Sequence, residues 1–187
     1  AGVPGCRGAG VPGGRGAGVP GCRGAGRLPP MSLPPGAAEF DVAAERTVHG
    51  TLGIEAVEVT PERVVLTMPV TPTVHQPYGI LHGGVSALLA ESAASFGGSV
   101  SVPSGQHVVG IELNASHLRP VRDGTLTATA TPVRRGRSIQ VWEIGLTDDR
   151  GREVCRARCT LAVVDGPAPA ATGGSDGSAG SPVLSPG

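Results

Sequence analysis

The sequence predicts an α+β fold in which one long helix packs against an antiparallel sheet. Apolar and small residues recur at i, i+3, i+4, i+7, i+8 and i+11 between Val85 and Phe96, a pattern typical of a helix with one buried face. Strand-like segments then follow, separated by the turn pairs Asp123-Gly124, Arg135-Gly136 and Arg150-Gly151. A helix and a sheet that bury their apolar faces against each other give a two-layer α+β domain.

The segments before this helix are shorter and more mixed. Helical spacing predicts a first helix over residues 40–52, with Gly50 and Gly53 at its end. Alternating apolar residues predict strands at 54–60 and 64–70, and a loop is expected over 72–84. The expected order is therefore helix, strand, strand and long helix.

The chain after the long helix is expected to be entirely strand and turn. Gly97-Gly98 is expected to end the helix. Strands are predicted at 108–118, 125–132, 139–147 and 153–164, each with apolar residues at alternate positions. Together with the two earlier strands, they are sufficient for one sheet around one helix.

Composition limits the folded domain to the middle of the chain. Of 187 residues, 31 are Gly and 18 are Pro, and these concentrate at the two ends. Residues 1–37 carry three copies of an octapeptide such as AGVPGCRG, whose glycine spacing breaks the collagen repeat. Residues 1–37 and 165–187 are too poor in large apolar side chains to offset the entropy of ordering, so both are predicted to be disordered tails. The domain is predicted to span 38–164.

Charge and hydropathy disfavour several functional classes. The formal net charge is zero, so strong non-specific binding to nucleic acid is not expected. No apolar stretch reaches the length of a membrane span, and no secretory signal is recognisable. We therefore expect a cytoplasmic protein with no nucleic-acid or membrane partner.

The four cysteines do not suggest a disulfide framework or a metal site. Cys155 and Cys159 fall on one face of a predicted strand, roughly 13 Å apart at the rise of a strand, which is too far for a disulfide. Cys6 and Cys22 lie at equivalent positions of the octapeptide repeat. No spacing suits zinc, so no metal is expected, and the pattern favours a reducing compartment.

The run HQPYGILHGG, residues 75–84, is the strongest candidate for chemistry. It places Gln76 and His82 just before the long helix, whose first N–H groups have no intrahelical partner and lie at the positive end of the helix dipole. Gly83 leaves room for a ligand to reach the backbone. A carbonyl oxygen at this point would receive hydrogen bonds that strengthen as negative charge develops, as in an oxyanion hole.

Glu91 is the candidate acid or base, two helical turns further on. It shares a stripe with Ala87 and Ser95 at i±4 spacing, beside the apolar face of the helix, so its carboxylate is expected to be partly buried. Such a group can act as a nucleophile or as a general base. Each of these residues taken alone is more commonly structural; together they form a workable site for polarising a carbonyl and attacking it.

The sequence resembles the hotdog-fold acyl-CoA thioesterases, in which a sheet wraps around one long helix. The likeness extends from about Gly50 to Val164 and includes residues 75–84, 90–95, 108–124 and 136–155. It is strongest to the subgroup that contains 1,4-dihydroxy-2-naphthoyl-CoA hydrolase, the Arthrobacter-type 4-hydroxybenzoyl-CoA thioesterase and the phenylacetate-pathway thioesterases.

The resemblance implies roles for individual residues. Glu91 would be the catalytic carboxylate, and the Gly83 N–H would polarise the thioester carbonyl. Gln76 and His82 would flank the thioester, and Ser95 would position water or the acyl group. CoA would bind two strand-and-loop regions: Gly110 with His117, Leu118, Arg119 and Pro120, and Arg134, Arg135, Gly136, Arg137, Ser138 and Ile139. Ser95 and His117 are equally consistent with structural roles.

Two departures bear on the substrate. Members of the subgroup often have Phe at the Tyr78 position and Asn at the Ser116 position. Neither change removes a proposed catalytic group, so the substrate rather than the reaction is in question. The arginines of the two CoA regions suit phosphates because a guanidinium offers paired donors, whereas Arg122 and Arg150 fit ordinary solvated turns.

The sequence therefore predicts an acyl-CoA thioesterase acting on an aromatic acyl group, in menaquinone synthesis or aromatic-acid degradation. The resemblance implies a homodimer whose interface forms the active site, with a homotetramer expected, and no metal or redox cofactor. One alternative is a non-catalytic acyl-CoA-binding hotdog module, which Glu91 disfavours because binding alone needs no carboxylate. A hotdog hydratase or dehydratase is disfavoured because its acid and histidine pattern is missing. A structural role carried by the octapeptide repeat is also open.

Overall fold

The computed structural model describes residues 47–166. The predicted tail 1–37, nearly all of the predicted tail 165–187, and the first part of the predicted helix 40–52 lie outside the described residues. Within them, the first helix is the five-residue α1. His49 of α1 is bound to the long helix, because its Nε2 lies 3.0 Å from the Ser92 hydroxyl and its ring meets Phe96 edge to face.

One six-stranded antiparallel sheet and one long helix make up most of the fold. The spatial order of the strands is β1-β2-β6-β7-β8-β5, and β3 pairs with β4 in a separate small hairpin. The elements are α1 (Val48–Leu52), β1 (Glu55–Val59), β2 (Val64–Pro69), β3 (His75–Gln76), β4 (Ile80–Leu81), α2 (Gly83–Ser99), β5 (Gln106–His117), β6 (Thr125–Arg135), β7 (Ile139–Thr147) and β8 (Glu153–Asp165). The predicted α+β class and the hotdog arrangement are confirmed.

The core lies between α2 and the concave face of the sheet. Alternate residues of β6, β7 and β8 point at the helix and are buried, as their period-two burial patterns require. Trp142 at the centre of β7 is completely buried, and its Nε1 donates to the Gln140 side chain at 3.0 Å. The helix contributes Leu89, Ala93 and Phe96 to the same cluster. Small residues on α2 let the curved sheet approach closely.

The prediction that Gly97-Gly98 ends the long helix is wrong, because α2 continues to Ser99. Both glycines are buried for a packing reason. A Cβ on Gly97 would come within 2.4 Å of the Trp142 ring, and one on Gly98 within 2.5 Å of Leu161. Tertiary contact with the sheet therefore overrides the usual role of glycine as a helix terminator.

The predicted loop 72–84 has more structure than expected. A single 3-10 turn, Pro72–Val74, leads into the β3-β4 hairpin, whose turn is closed by the Gly79 N–H donating to the Gln76 carbonyl at 2.9 Å. Gly79 has φ +69°, the left-handed conformation that glycine adopts readily. The hairpin is tied to the domain because the Leu81 N–H donates to the Val121 carbonyl at 2.7 Å. It delivers the chain directly to the start of α2.

Strand β5 forms one edge of the sheet. It is 12 residues long, pairs with β8 on one side and has no strand on its other side among the described residues. A β-bulge at Ile111 interrupts its register with β8 between Gly110 and Glu112. Val109 and Ile111 are 42% and 56% exposed on this edge. A long, apolar, unpaired edge is a ready surface for a further strand.

Candidate active site

The N-terminus of α2 presents a backbone donor for which the described residues supply no partner. His82 caps the helix, since its Nδ1 accepts from the Gly84 N–H at 2.9 Å. The N–H groups of Val85 and Ser86 both donate to the His82 carbonyl. The Gly83 N–H alone in this first turn makes no hydrogen bond with the part of the chain that the structure describes. It is therefore available to a ligand at the positive end of the helix.

A cavity of about 320 Å³ opens beside this donor. Gly83 forms part of its wall, and a Cβ there would come within 2.8 Å of His117 Nε2, so the glycine lets the imidazole of β5 lie directly over the helix start. Six residues predicted to be at the site line this one cavity: Gln76, Gly83, His117, Leu118, Arg119 and Pro120. The structure thus brings together the predicted carbonyl-polarising group and four of the five residues of one predicted CoA region, whereas Gly110, the fifth, lies at Glu91.

Glu91 is not among the residues that line this cavity, and it lies beside Gly110 of β5. Its Oε1 rests against the Cα of Gly110, where an added Cβ would come within 2.4 Å of it. The side chain is exposed in the single chain, so the prediction that it is partly buried is wrong for this chain alone. The reason is that α2 covers the sheet with its other face, and the stripe carrying Glu91 emerges at the uncovered edge.

One chain does not bring Glu91 and Gly83 together. They are eight residues apart on a straight helix, which separates them by ~12 Å along its axis. A single thioester carbonyl cannot contact both. Ser95, one turn beyond Glu91, is half-buried and belongs to the Glu91 end of the helix.

The second predicted CoA region forms a separate cavity of about 460 Å³. It is lined by Arg134, Gly136, Arg137, Ser138 and Ile139 at the β6-β7 turn. Arg135 is directed away from it and pairs with Glu62 at 3.4 Å. Two neighbouring guanidinium groups at an open turn provide a site of the kind that phosphates occupy.

Sequence reasoning missed Ser86. This residue is 4% exposed, yet it lines the 320 Å³ cavity together with Gly83 and His117. The available signal was its spacing, since a residue three positions after Gly83 lies on the same helical face. It was overlooked because serine fits equally well on a small-residue packing face.

The cysteines in the described region are as predicted. Cys155 and Cys159 are free and buried, and burial raises the pKa of the Cys159 thiol to about 12, with smaller contributions from the Glu91 and Glu112 carboxylates. No group of three or more His, Cys, Asp or Glu in residues 47–166 is arranged to hold a metal ion. None of the described helices has the length and apolar character of a membrane span.

A sheet wrapped around one long helix is the hotdog arrangement, and a helix-terminal donor that opens into a cavity suits a thioester hydrolase of that fold. Residues 78–155 match the thioesterase superfamily. The chain belongs to this family, and it is a thioester hydrolase.

Individual relatives share most of the domain. The 1,4-dihydroxy-2-naphthoyl-CoA hydrolase of Listeria monocytogenes is 49% identical over 113 residues, which are 60% of this chain and 92% of the relative. The proofreading thioesterase EntH of Klebsiella pneumoniae is 41% identical over 127 residues, 68% of this chain and 93% of that protein. The crystal structure of thioesterase HI1161 from Haemophilus influenzae is 43% identical, has a TM-score of 0.63, and aligns over 65% of this chain and 85% of that one.

Proposed function

We propose that this protein hydrolyses an aromatic acyl-CoA, such as 1,4-dihydroxy-2-naphthoyl-CoA or 4-hydroxybenzoyl-CoA, to the free acid and CoA. The observation that carries the proposal is the unpartnered Gly83 N–H at the start of a 17-residue helix, beside a cavity shared with Gln76 and His117. The 49% identity to a 1,4-dihydroxy-2-naphthoyl-CoA hydrolase supports an aromatic acyl group and a role in menaquinone synthesis. Aromatic-acid degradation is the other setting.

In the proposed reaction the thioester oxygen accepts the Gly83 N–H, while Gln76 and His82 flank the thioester. Negative charge that develops on this oxygen is stabilised by the fixed donor and by the helix dipole. Glu91 acts in one of two ways. As a general base it takes a proton from water, whose oxygen bonds to the carbonyl carbon; the C–S bond then breaks and the CoA thiolate recovers the proton. As a nucleophile its carboxylate oxygen bonds to the carbonyl carbon and the C–S bond breaks, which releases the CoA thiolate; water then hydrolyses the resulting anhydride to the free acid and the Glu91 carboxylate, and the proton released goes to the thiolate.

The ~12 Å between Glu91 and Gly83 supports a homodimer in which each active site combines Gly83 of one copy with Glu91 of the other. Both residues lie beside the β5 edge: Glu91 at Gly110 and Gly83 at His117. Two β5 edges paired antiparallel about a two-fold axis would bring these half-sites together. The half-site geometry therefore favours a second copy as the partner of this edge.

The β-bulge restricts the register of this pairing. Residues that face each other across an antiparallel ladder must point to the same side of the sheet, and Leu113 and Ala115 are on the helix side. A two-fold axis at Asn114 sets Leu113 against Ala115 of the second copy. With the same axis, Gly110 and Ile111 of one copy together face His117 of the second copy. Two residues opposite one is the arrangement found at a β-bulge. We propose a tetramer made of two such dimers.

The CoA moiety is proposed to bind through its phosphates to Arg134 and Arg137 at the β6-β7 turn, with Gly136, Ser138 and Ile139. Gly110, His117, Leu118, Arg119 and Pro120 would contact the part of CoA nearer the thioester. Arg135 fits this role less well because of its pairing with Glu62. No cofactor is proposed. The two buried free thiols support a reducing compartment such as the cytoplasm.

The experiment that tests the proposal is thiol release from a panel of CoA esters. The panel contains 1,4-dihydroxy-2-naphthoyl, 4-hydroxybenzoyl, phenylacetyl and mid-chain acyl groups. Wild type is compared with Glu91→Gln and with Glu55→Gln, a matched change at an exposed carboxylate of β1. We expect fast release from the aromatic esters, loss of at least about a hundredfold in Glu91→Gln, and an unchanged rate in Glu55→Gln. Tight binding without release would favour the acyl-CoA-binding module, and a preference for the mid-chain ester would overturn the aromatic assignment.

A further inference from the structure

Ser86 is a buried residue whose hydroxyl is accessible from the active-site cavity and makes no hydrogen bond with the described residues. The residue is 4% exposed and lines the cavity with Gly83 and His117. A serine inside a helix often donates to the carbonyl four residues earlier, but no hydrogen bond joins this hydroxyl to His82 or to any other residue in 47–166. Buried hydroxyl groups are almost always hydrogen-bonded in folded proteins. Because this hydroxyl opens into the cavity, its expected partner is water when the cavity is empty and a polar group of the ligand when the cavity is filled.

We infer that Ser86 selects acyl groups that carry a hydroxyl on the carbon next to the one bearing the thioester carbonyl. This inference rests on the function proposed above, in which the Gly83 N–H holds the thioester oxygen. The Ser86 hydroxyl donates to the oxygen of the acyl hydroxyl. It acts as a specificity-determining group and takes no part in breaking the thioester.

The spacing of Ser86 and Gly83 sets the distance between the two recognised groups. Ser86 follows Gly83 by three residues, so the two share a face and lie ~4.5 Å apart along the helix axis. Helical side chains lean toward the N-terminus, which brings the Ser86 hydroxyl over the turn that begins at Gly83. A ligand whose carbonyl meets Gly83 therefore presents its nearest substituent to Ser86.

The rest of the cavity explains why this hydroxyl can discriminate. Three of its lining residues are buried and apolar: Leu81, Val121 and Val154. The Arg119 guanidinium is turned to the Glu153 carbonyl and Gln76 lies on the hairpin. An aromatic ring fits apolar walls, and in such surroundings one hydrogen bond has a larger effect on selectivity than in water.

The acyl class defined in this way is an ortho-hydroxylated aromatic acid. A 1,4-dihydroxy-2-naphthoyl group belongs to it, because its 1-hydroxyl lies on the carbon beside the carbonyl-bearing carbon. A 4-hydroxybenzoyl group does not. The Ser86 contact thus distinguishes between the two substrates named in the proposed function.

The test compares 2-hydroxybenzoyl-CoA with benzoyl-CoA, which differ by this hydroxyl alone. We expect wild type to favour the hydroxylated ester in kcat/KM. Ser86→Ala should lower kcat/KM for 2-hydroxybenzoyl-CoA by roughly tenfold while leaving benzoyl-CoA within about twofold. Alanine suits a helix, so the fold should be retained. Ser99→Ala, a matched change at the far end of α2, should keep the wild-type ratio.

Two results would overturn the inference. If Ser86→Ala lowered kcat/KM equally for both esters, Ser86 would have a general packing role. If the ratio of the two kcat/KM values stayed as in wild type, the hydroxyl would bind a cavity water only. Failure of the proposed function is recognisable separately, because wild type would then release no thiol from either aromatic ester. In that case the inference about Ser86 is wrong as well, because it depends on the proposed function.

Discussion

At the scale of single residues, two glycines make room for functional side chains. Gly83 lies under the His117 imidazole and Gly110 lies under the Glu91 carboxylate, each so close that a Cβ would collide. Neither position has the left-handed φ that demands glycine in a turn. The requirement comes from the neighbouring side chain. Glycine at these positions is therefore expected to matter for activity more than for stability.

Gly110→Ala tests this separation. The atom that the new Cβ would meet is the Oε1 of Glu91, the end of a flexible side chain, so the carboxylate should move and the strand should not. We expect kcat to fall by about tenfold or more with little change in KM, and the free energy of unfolding to change by less than about 1 kcal/mol. Gly145→Ala is the control, since its nearest neighbour would be 3.7 Å away. An unchanged kcat would show that the Glu91 position is not critical.

The burial of Cys159 predicts that the folded protein loses stability at alkaline pH. Burial raises its pKa to about 12 in the folded chain, whereas its ordinary value is 9.0. Below pH 9 the thiol is protonated in both the folded and the unfolded chain, so the pH has no effect on stability through this group. Between pH 9 and 12 the unfolded chain alone releases the proton, so folding stability falls as pH rises. At pH 10 the loss is about 1.4 kcal/mol.

Urea unfolding at pH 8 and pH 10 measures this effect. Wild type should lose about 1.4 kcal/mol more than Cys159→Ala between the two pH values. Any constant cost of the alanine cavity cancels in that comparison. Equal pH dependence in the two proteins would show that Cys159 does not titrate as its burial implies.

At the scale of elements, α2 is shaped by what it packs against. Its length is set by contacts of Gly97 and Gly98 with the sheet, and its start is set by the β3-β4 hairpin and the His82 cap. Gly97→Ala should put a Cβ into the Trp142 ring, which is fully buried and cannot shift freely. We expect a loss of about 1–3 kcal/mol in the free energy of unfolding, despite the higher helix propensity of alanine.

Chemical denaturation of Gly97→Ala beside Gly145→Ala provides the measurement. The control lies in β7, where an added methyl makes ordinary contact, and should not lose stability. If Gly97→Ala were instead as stable as wild type, the helix would have to end before residue 97 in solution, as the sequence pattern indicated.

At the scale of the whole molecule, the proposed active site belongs to two copies of the chain. Glu91→Gln and Gln76→Ala are each expected to be inactive as homodimers. In a mixed dimer one site carries both changes and the other carries neither. Co-refolding equal amounts should therefore restore about a quarter of wild-type activity, since half of the dimers are mixed and each has one intact site. Absence of recovery would place both residues in the same copy.

The proposed two-fold axis at Asn114 is also testable. In a Cys6→Ser, Cys22→Ser background, Asn114→Cys should form an intermolecular disulfide under mild oxidation, because the two residues face each other across the paired β5 edges. Ser116→Cys is the matched control, since it would be ~13 Å from its own copy. Cross-linking at 116 but not at 114 would contradict the register. The disulfide-linked dimer is detected by intact mass and by its mobility in SDS–PAGE without reductant.

Local pattern predicted the long helix and the main strands, although it missed the β3-β4 hairpin and the end of α2. Apolar side chains recur with helical period between Val85 and Phe96 and alternate along β6, β7 and β8, because the helix and the sheet bury them against each other. This pattern is visible in the sequence alone. The exposure of Glu91 and the position of Ser86 in the cavity lining were not predictable, because both depend on which helical face the curved sheet covers.

Periodicity within each segment was enough for the α+β class. The hotdog arrangement, the family and the candidate residues for polarising and attacking a thioester came from the resemblance of the motifs. The packed chain was needed to show that, within residues 47–166, the Gly83 N–H is the first-turn donor left without a partner, and that Gly83 and Glu91 both border β5, an edge unpaired among the described residues. The physical reason is that hydrogen-bond satisfaction and distance are properties of the packed chain, whereas periodicity is a property of each segment.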